Sequence, residues 1–360
     1  MSTERTADSA AAATAVPADG AIDLAALAGA LRADLGPQLV VTGLVPISVG
    51  ASNRMYRAET GEGPVILRVP PRHKASPTAH DVGREFRVLR ALDHTAVPHP
   101  KALALSADTA VFGTEFLVME FVEGFNLRAD RGDPLGLTPA ERGESALAAV
   151  DVLADLGAVD WQAAGLSGFG RPDGFLARQV SRWSSQLEAY RVRDLPGLDQ
   201  LARWLQDNQP ARSRAAIMHG DFTYMNVMLT LSRPVRVAAI VDWEQSTIGD
   251  PLLDLGWLTG LWAHPDEDSP ATPPGVPWVT QLPGMPSRAQ VVDRYRDRAG
   301  LDDVPIDFYQ ALALFKLAVV LEGNYAKFHR GVSRSQHHAD FEWMVPALIE
   351  TALSATRGER

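Results

Sequence analysis

Apolar residues recur at helical spacing over 22–35, with Asp23 placed to cap the start of that helix. Leu39-Val40-Val41 and Leu44-Val45-Pro46-Ile47 then read as β structure, Gly50-Ala51-Ser52-Asn53 as a turn, and Met55-Tyr56-Arg57-Ala58 as a resumed strand. Gly61-Glu62-Gly63-Pro64 makes a hairpin turn into Val65-Ile66-Leu67-Arg68-Val69, which Pro70-Pro71 ends. A helix is expected over 80–93, with Val82, Phe86, Leu89 and Leu92 as its apolar stripe. Val97-Pro98-His99-Pro100 breaks the pattern, and strands follow near 102–106 and 115–121.

After Gly124 the pattern changes, and from Thr138 it is mostly helical, with Ala-rich segments at 140–158, 175–190 and 198–208. One β patch interrupts it over 215–243, with a hairpin turning at Ser232-Arg233-Pro234. Asp250-Pro251 fits a helix start, Asp as N-cap and Pro at the first position. Residues 264–286 are rich in Pro, Gly and Asp and read as a long surface loop. Helices close the chain near 287–299, 306–329 and 336–355. The expected class is α+β: a disordered tail over 1–20, a small β-rich lobe over 21–120, a hinge near 119–124, and a larger, mostly helical lobe over 121–356.

Composition narrows the partners. The 360 residues are 46% hydrophobic and 22% charged, ordinary for a globular protein. A net charge of -10 argues against a nucleic-acid footprint, which needs basic stripes. The absence of cysteine excludes disulfides, thiolate metal sites and Cys nucleophiles. Residues 1–20 lack the apolar core of a secretory signal, and the longest apolar run, from Ala311 to Leu321, is interrupted by Lys316 and too short to cross a bilayer. These features point to a cytoplasmic chain with no membrane partner.

The chemistry concentrates in His219-Gly220-Asp221-Phe222-Thr223-Tyr224-Met225-Asn226 and, after an apolar strand, in Asp242. Phosphoryl transfer needs one carboxylate to take the substrate hydroxyl proton, and an Asn and a second carboxylate to hold magnesium against the phosphates. Asp221 is the candidate base, and Asn226 and Asp242 are the candidate metal ligands, because magnesium prefers oxygen. His219 joins Asp221 in the catalytic loop, as a brace rather than a reacting group. Glu244 falls on the same face as Asp242 if the strand continues, and reads equally as a solvated acid. Capping accounts for Asp250, while Asp254 is placed to brace the catalytic loop through its backbone N–H groups.

In the N-terminal lobe Arg68 ends an apolar strand, where kinases place a cation on the nucleotide phosphates. Glu85, at the edge of the helical stripe, is its natural partner; the competing reading pairs Glu85 along its own helix. Ser52 and Asn53 fit either phosphate contacts or a plain hairpin turn. Backbone groups from Glu120 to Val122 are placed to bond adenine, in a strand that composition alone would call core.

These residues resemble the aminoglycoside phosphotransferase (choline kinase-like) family, whose fold is protein-kinase-like. His219-Gly220-Asp221-Phe222 through Asn226 is similar to that family's catalytic loop, Ile240-Val241-Asp242-Trp243-Glu244 to its metal-binding strand, and Gly249-Asp250-Pro251 through Asp254-Leu255 to the segment that follows. The likeness runs from about residue 40 to 350 and is nearest to the kinase-like domain fused to some acyl-CoA dehydrogenases, on phrases such as Arg68-Val69-Pro70-Pro71 and Arg84-Glu85-Phe86. One departure is Arg68, where the wider family usually has Lys; both are cations, but they are not interchangeable on phosphate.

The resemblance implies an ATP- and Mg²⁺-dependent transfer of phosphate to the hydroxyl of a small molecule, with ATP in the cleft between lobes. Drug-modifying members take polycationic sugars, which the acidic stretch at 264–268 would suit. The fused-domain relatives imply hydroxylated acyl-CoA compounds instead, for which Lys316, Lys327, His329 and Arg330 are candidate contacts. Trp183, Trp257, Trp262 and Tyr325 are candidate acceptor-lining residues, or core. A non-catalytic nucleotide-binding module, a metal-dependent hydrolase and a protein kinase are the alternatives. An intact base and metal set, the lack of a second His, and the lack of an activation segment after Asp242 argue against them in turn.

Overall fold

Asp23 caps as its position predicts: its carboxylate accepts the N–H groups of Ala25 at 2.8 Å and Ala26 at 3.3 Å and starts α1 (Leu24–Leu35). The structure, a computed structural model, describes residues 22–48, 53–71, 81–130, 132–273 and 275–359. The expected tail over 1–20 and most of the expected turn at 50–53 lie outside them. The described chain divides into two compact units, one holding the residues up to Phe86 together with Ala102–Phe121, the other Arg87–Lys101 and everything from Val122 onward.

In the first unit the alternating segments become β1 (Val41–Ser48), β2 (Arg54–Thr60) and β3 (Val65–Val69). After α2 (Val82–Leu92) come β4 (Ala102–Ser106) and β5 (Phe116–Glu120). They form a five-stranded sheet in the order β1-β2-β3-β5-β4, every pairing antiparallel. Leu27 and Leu31 of α1 pack with Tyr56, Leu67, Phe112, Phe116 and Val118 into one core. Successive strand residues point to opposite faces. Leu67 and Val69 therefore join this core, while Arg68 between them projects from the other face.

The second unit contains β6 (Phe125–Asn126), α3 (Pro139–Ala158), α4 (Phe175–Glu188) and α5 (Leu198–Asp207). Then follow β7 (Ala216–Met218), β8 (Val227–Leu229), β9 (Val237–Ile240) and β10 (Thr247–Gly249). The chain continues through α6 (Leu252–Gly260), α7 (Arg288–Ala299), α8 (Ile306–His329), α9 (Gln336–Ala339) and α10 (Phe341–Thr356). Thr138 and Glu141 start α3 with a reciprocal capping box. The core gathers around α8: Phe308, Leu312, Phe315 and Val319 pack with Leu253 and Trp257 of α6 and Val345 and Leu348 of α10. No helix among the described residues is long and apolar enough to cross a membrane.

Some expectations need correction. The β patch at 215–243 is two separate sheets, β10-β7 and β6-β8-β9, because β6 and β10 pair across long sequence separations. The closing helix breaks at Asp340 into α9 and α10. Helix α6 starts after Pro251, and capping does not exhaust Asp250. One of its oxygens accepts the Leu252 N–H at 3.1 Å, but the other accepts the Tyr309 hydroxyl of α8 at 2.8 Å.

Candidate active site

The loop between β7 and β8 is fixed from several directions. Asp254, buried in the first turn of α6, accepts the backbone N–H of His219 at 2.6 Å and of Gly220 at 2.9 Å. This is the bracing role its position predicts. Gly220 sits at φ 84, and a Cβ there would lie 2.3 Å from the Gln245 carbonyl oxygen, so glycine is required. His219 is fully buried, edge-on to Trp243 at 4.7 Å and Phe222 at 5.8 Å. Its Nε2 lies 3.0 Å from the Val241 carbonyl, which can only accept, so Nε2 carries the proton. Nδ1 is then the acceptor of the Asp221 N–H at 3.3 Å. Both ring nitrogens are thus committed to holding the loop.

A 3₁₀ turn over Tyr224–Asn226 aims Asn226 back at Asp221. Its Nδ2 donates to the Asp221 carbonyl at 2.9 Å and lies 3.5 Å from Asp221 Oδ2. Asn126 of β6, absent from the sequence reading, ties the same turn by donating to the Met225 and Val227 carbonyls at 2.9 and 3.0 Å. The Tyr224 hydroxyl meets Ser145 Oγ of α3 at 2.6 Å.

Asp242 follows the end of β9 at φ 70, the one non-glycine residue of positive φ among the described residues. Asp tolerates this left-handed region better than most side chains. Strain of this kind concentrates at functional sites. The turn overturns the expectation for Glu244. The strand does not continue, Trp243–Gln245 form a 3₁₀ turn, and strand alternation no longer relates the two carboxylates.

Asp221, Asn226 and Asp242 all keep partial exposure in these buried surroundings. Burial pushes the Asp221 carboxyl up to about 6, and the negative charge of Asp242 adds to the shift. Lys316, the Trp257 indole N–H and the Asn226 amide oppose it. Burial likewise raises Asp254 to about 6, against the two N–H groups it accepts. The donor set suits a hard divalent cation. With the Asn226 amide nitrogen committed to Asp221, its Oδ1 is the atom through which Asn226 could coordinate a cation. Among the described residues no three acidic or imidazole side chains gather into a metal site by themselves. Magnesium does not require one, since it completes its shell with water and phosphate oxygens.

In the first unit, Arg68 Nη1 meets Glu85 Oε1 at 3.0 Å, with the two residues only 6% and 2% exposed. The expected ion pair is therefore formed across the sheet face. Asn53 is buried, Glu120 ends β5 opposite Val65, and Ser52 lies outside the described residues. Val122 is partly buried.

The candidate acceptor aromatics are largely core. Trp183, Trp257, Trp262 and Tyr325 are all buried. Of the basic candidates on α8 and at its C-cap, Lys327 bonds Asn324, Arg330 bonds the Tyr190 carbonyl, and His329 stacks on Tyr325. Lys316 is the exception, reaching the catalytic loop. The sequence signal for it was a single Lys inside an apolar run.

The model of the phosphotransferase enzyme family matches residues 43–274. The chain is 34% identical over 316 residues to acyl-CoA dehydrogenase family member 11 of Homo sapiens. That alignment covers 86% of this chain but 39% of the relative, so the chain spans well under half of that protein's length. Among solved structures, a candidate aminoglycoside phosphotransferase from Ralstonia eutropha JMP134 is 28% identical, with a TM-score of 0.78 over 94% of this chain and 99% of that one. Spectinomycin phosphotransferase APH(9)-Ia, solved with ADP and spectinomycin, shares the fold at 12% identity and a TM-score of 0.60, covering 93% of this chain and 98% of that one. The chain belongs to the phosphotransferase enzyme family and has its protein-kinase-like fold, with an antiparallel N-terminal sheet and a mostly helical remainder.

Proposed function

We propose that this family member is an ATP- and Mg²⁺-dependent O-phosphotransferase acting on the hydroxyl of a small molecule. The observation that carries the proposal is the setting of Asp221. It is a partly exposed carboxylate on a loop fixed by Asp254 and His219, with Asn226 against it and the charge of Asp242 near enough to raise its pKa. Such a group is aimed and poised to take a proton near neutral pH.

In the proposed reaction the acceptor hydroxyl oxygen bonds to the γ-phosphorus while the bond to the departing ADP oxygen breaks. Asp221 accepts the hydroxyl proton. Asn226 and Asp242 would hold the magnesium ion, which would supply charge neutralisation at the phosphates. Arg68, steadied by Glu85, serves the nucleotide phosphates with Ser52 and Asn53. The backbone from Glu120 to Val122 serves the adenine. His219 keeps the loop in register. The nucleotide found with spectinomycin phosphotransferase supports ATP as the donor.

Phosphate transfer from Mg²⁺-ATP across a library of hydroxyl compounds tests this reading, with Asp221→Ala as control. Loss of a general base lowers turnover by about 10²–10⁴. Equal turnover by the two proteins removes Asp221 from the role.

A further inference from the structure

Helix α8 carries one lysine in an otherwise apolar stretch, and that lysine does not turn to solvent. Lys316 is partly buried, and its Nζ donates to the Gly220 carbonyl oxygen at 3.0 Å. The ammonium also lies 4.5 Å from the centre of the Trp257 ring and 5.9 Å from that of Trp183. The contact falls at a particular place in the catalytic loop. The Gly220 carbonyl and the Asp221 N–H belong to one peptide unit. Lys316 holds its oxygen, and His219 Nδ1 holds its hydrogen. The preceding peptide is held by Asp254, through the Gly220 N–H. Gly220 itself cannot be exchanged for a residue with a side chain.

The charges point the same way. Asp221 and Asp254 both interact electrostatically with Lys316. Arg182, the other cation acting on Lys316, is exposed on α4. Partly buried charges need partners, and removing one partner of such a set is costly.

We propose that Lys316 is a positioning residue for phosphoryl transfer: its ammonium clamps the peptide that carries Asp221 and is the counter-ion of that carboxylate. This rests on the reading of Asp221 as the base. The role is distinct from nucleotide binding, since the contacts of Lys316 are to the loop and to the aromatic rings of α4 and α6.

Two measurements on the full chain test it. The first uses Mg²⁺-ATP with water as acceptor, comparing wild type, Asp221→Ala and Lys316→Met. Misplacing a reacting group by about 1 Å costs roughly 10²-fold. Lys316→Met should therefore lower kcat by about that factor while KM for ATP stays within about twofold. The second is a urea-unfolding cycle of wild type, Lys316→Met, Asp221→Asn and the double variant. If Lys316 compensates the Asp221 charge, Lys316→Met lowers the unfolding midpoint markedly in wild type and much less in the Asp221→Asn background. Additive midpoint shifts, or wild-type kcat in Lys316→Met, overturn the proposal. Should wild type and Asp221→Ala hydrolyse ATP equally, the reading of Asp221 as base fails and the positioning role falls with it, and the unfolding cycle then decides only whether Lys316 compensates the Asp221 charge.

Discussion

On the proposed reading, Asp221 carries two opposing demands. A base must be ionised to act, yet burial first and the Asp242 charge second favour its protonated form, up to a pKa of about 6. The sign of the pH dependence follows. Above that value the carboxylate is ionised and acceptor kcat/KM is level. Below it the rate falls tenfold per pH unit. A divalent ion bound at Asp242, as proposed, would neutralise the second cause, so the limb measured with magnesium should lie at or below about 6. A pH profile of kcat/KM that stays flat well below the ordinary carboxylate range would exclude Asp221 as the base. Spacing made this residue legible, and it made Arg68 and Glu85 legible as a pair, since strand alternation and helix periodicity both turned them inward. Lys316 was not legible in the same way. Its partners, Gly220 and Asp221, lie about a hundred residues away in sequence, and only the fold brings them together.

The elements that bring them together are α6 and α8, and their approach depends on small residues. A Cβ on Gly256 of α6 would stand 2.4 Å from the backbone C and O of Tyr309 on α8, atoms that cannot swing aside. A Cβ on Gly260, one turn later, would meet first the side chain of Leu314 at 3.3 Å, which can yield. Gly256→Ala should therefore destabilise by about 1–3 kcal/mol, as overpacking does, and Gly260→Ala by less. Urea-unfolding midpoints of the two variants check this, and equal shifts would mean that the helices separate freely. Because Trp257 and Lys316 ride on these helices, Gly256→Ala should also lower kcat. Uninterrupted helical runs bounded by turn and capping residues, such as α3, α7 and α8, could be read from the chain within a residue or two of their ends. The short strands β6 and β10 could not. Two or three residues carry no period, and their pairing with β8 and β7 is decided by tertiary contacts.

Over the whole molecule, a net charge of -10 would oppose the anionic nucleotide of the proposed reading, so affinity would have to come from local charge. Screening makes that feasible, because at physiological salt charges beyond about 8 Å are largely damped. On the proposed reading, Asn226 and Asp242 convert a repulsive carboxylate into an attraction only when magnesium is present. Thermal unfolding of the full chain reads this directly. A ligand at about 100 times its Kd, bound to the native state alone, stabilises by about 2.7 kcal/mol. Wild type should therefore melt higher with ATP and magnesium than with ATP and a chelator. Asp242→Asn is the informative variant: Asn tolerates the φ of 70 held by Asp242, so the backbone conformation survives while the charge is lost. Its melting temperature should gain little from magnesium, and its gain from ATP in chelator should equal or exceed that of wild type, since a repelling charge is gone. A magnesium increment in Asp242→Asn as large as in wild type would place the ion elsewhere and remove Asp242 from the metal set.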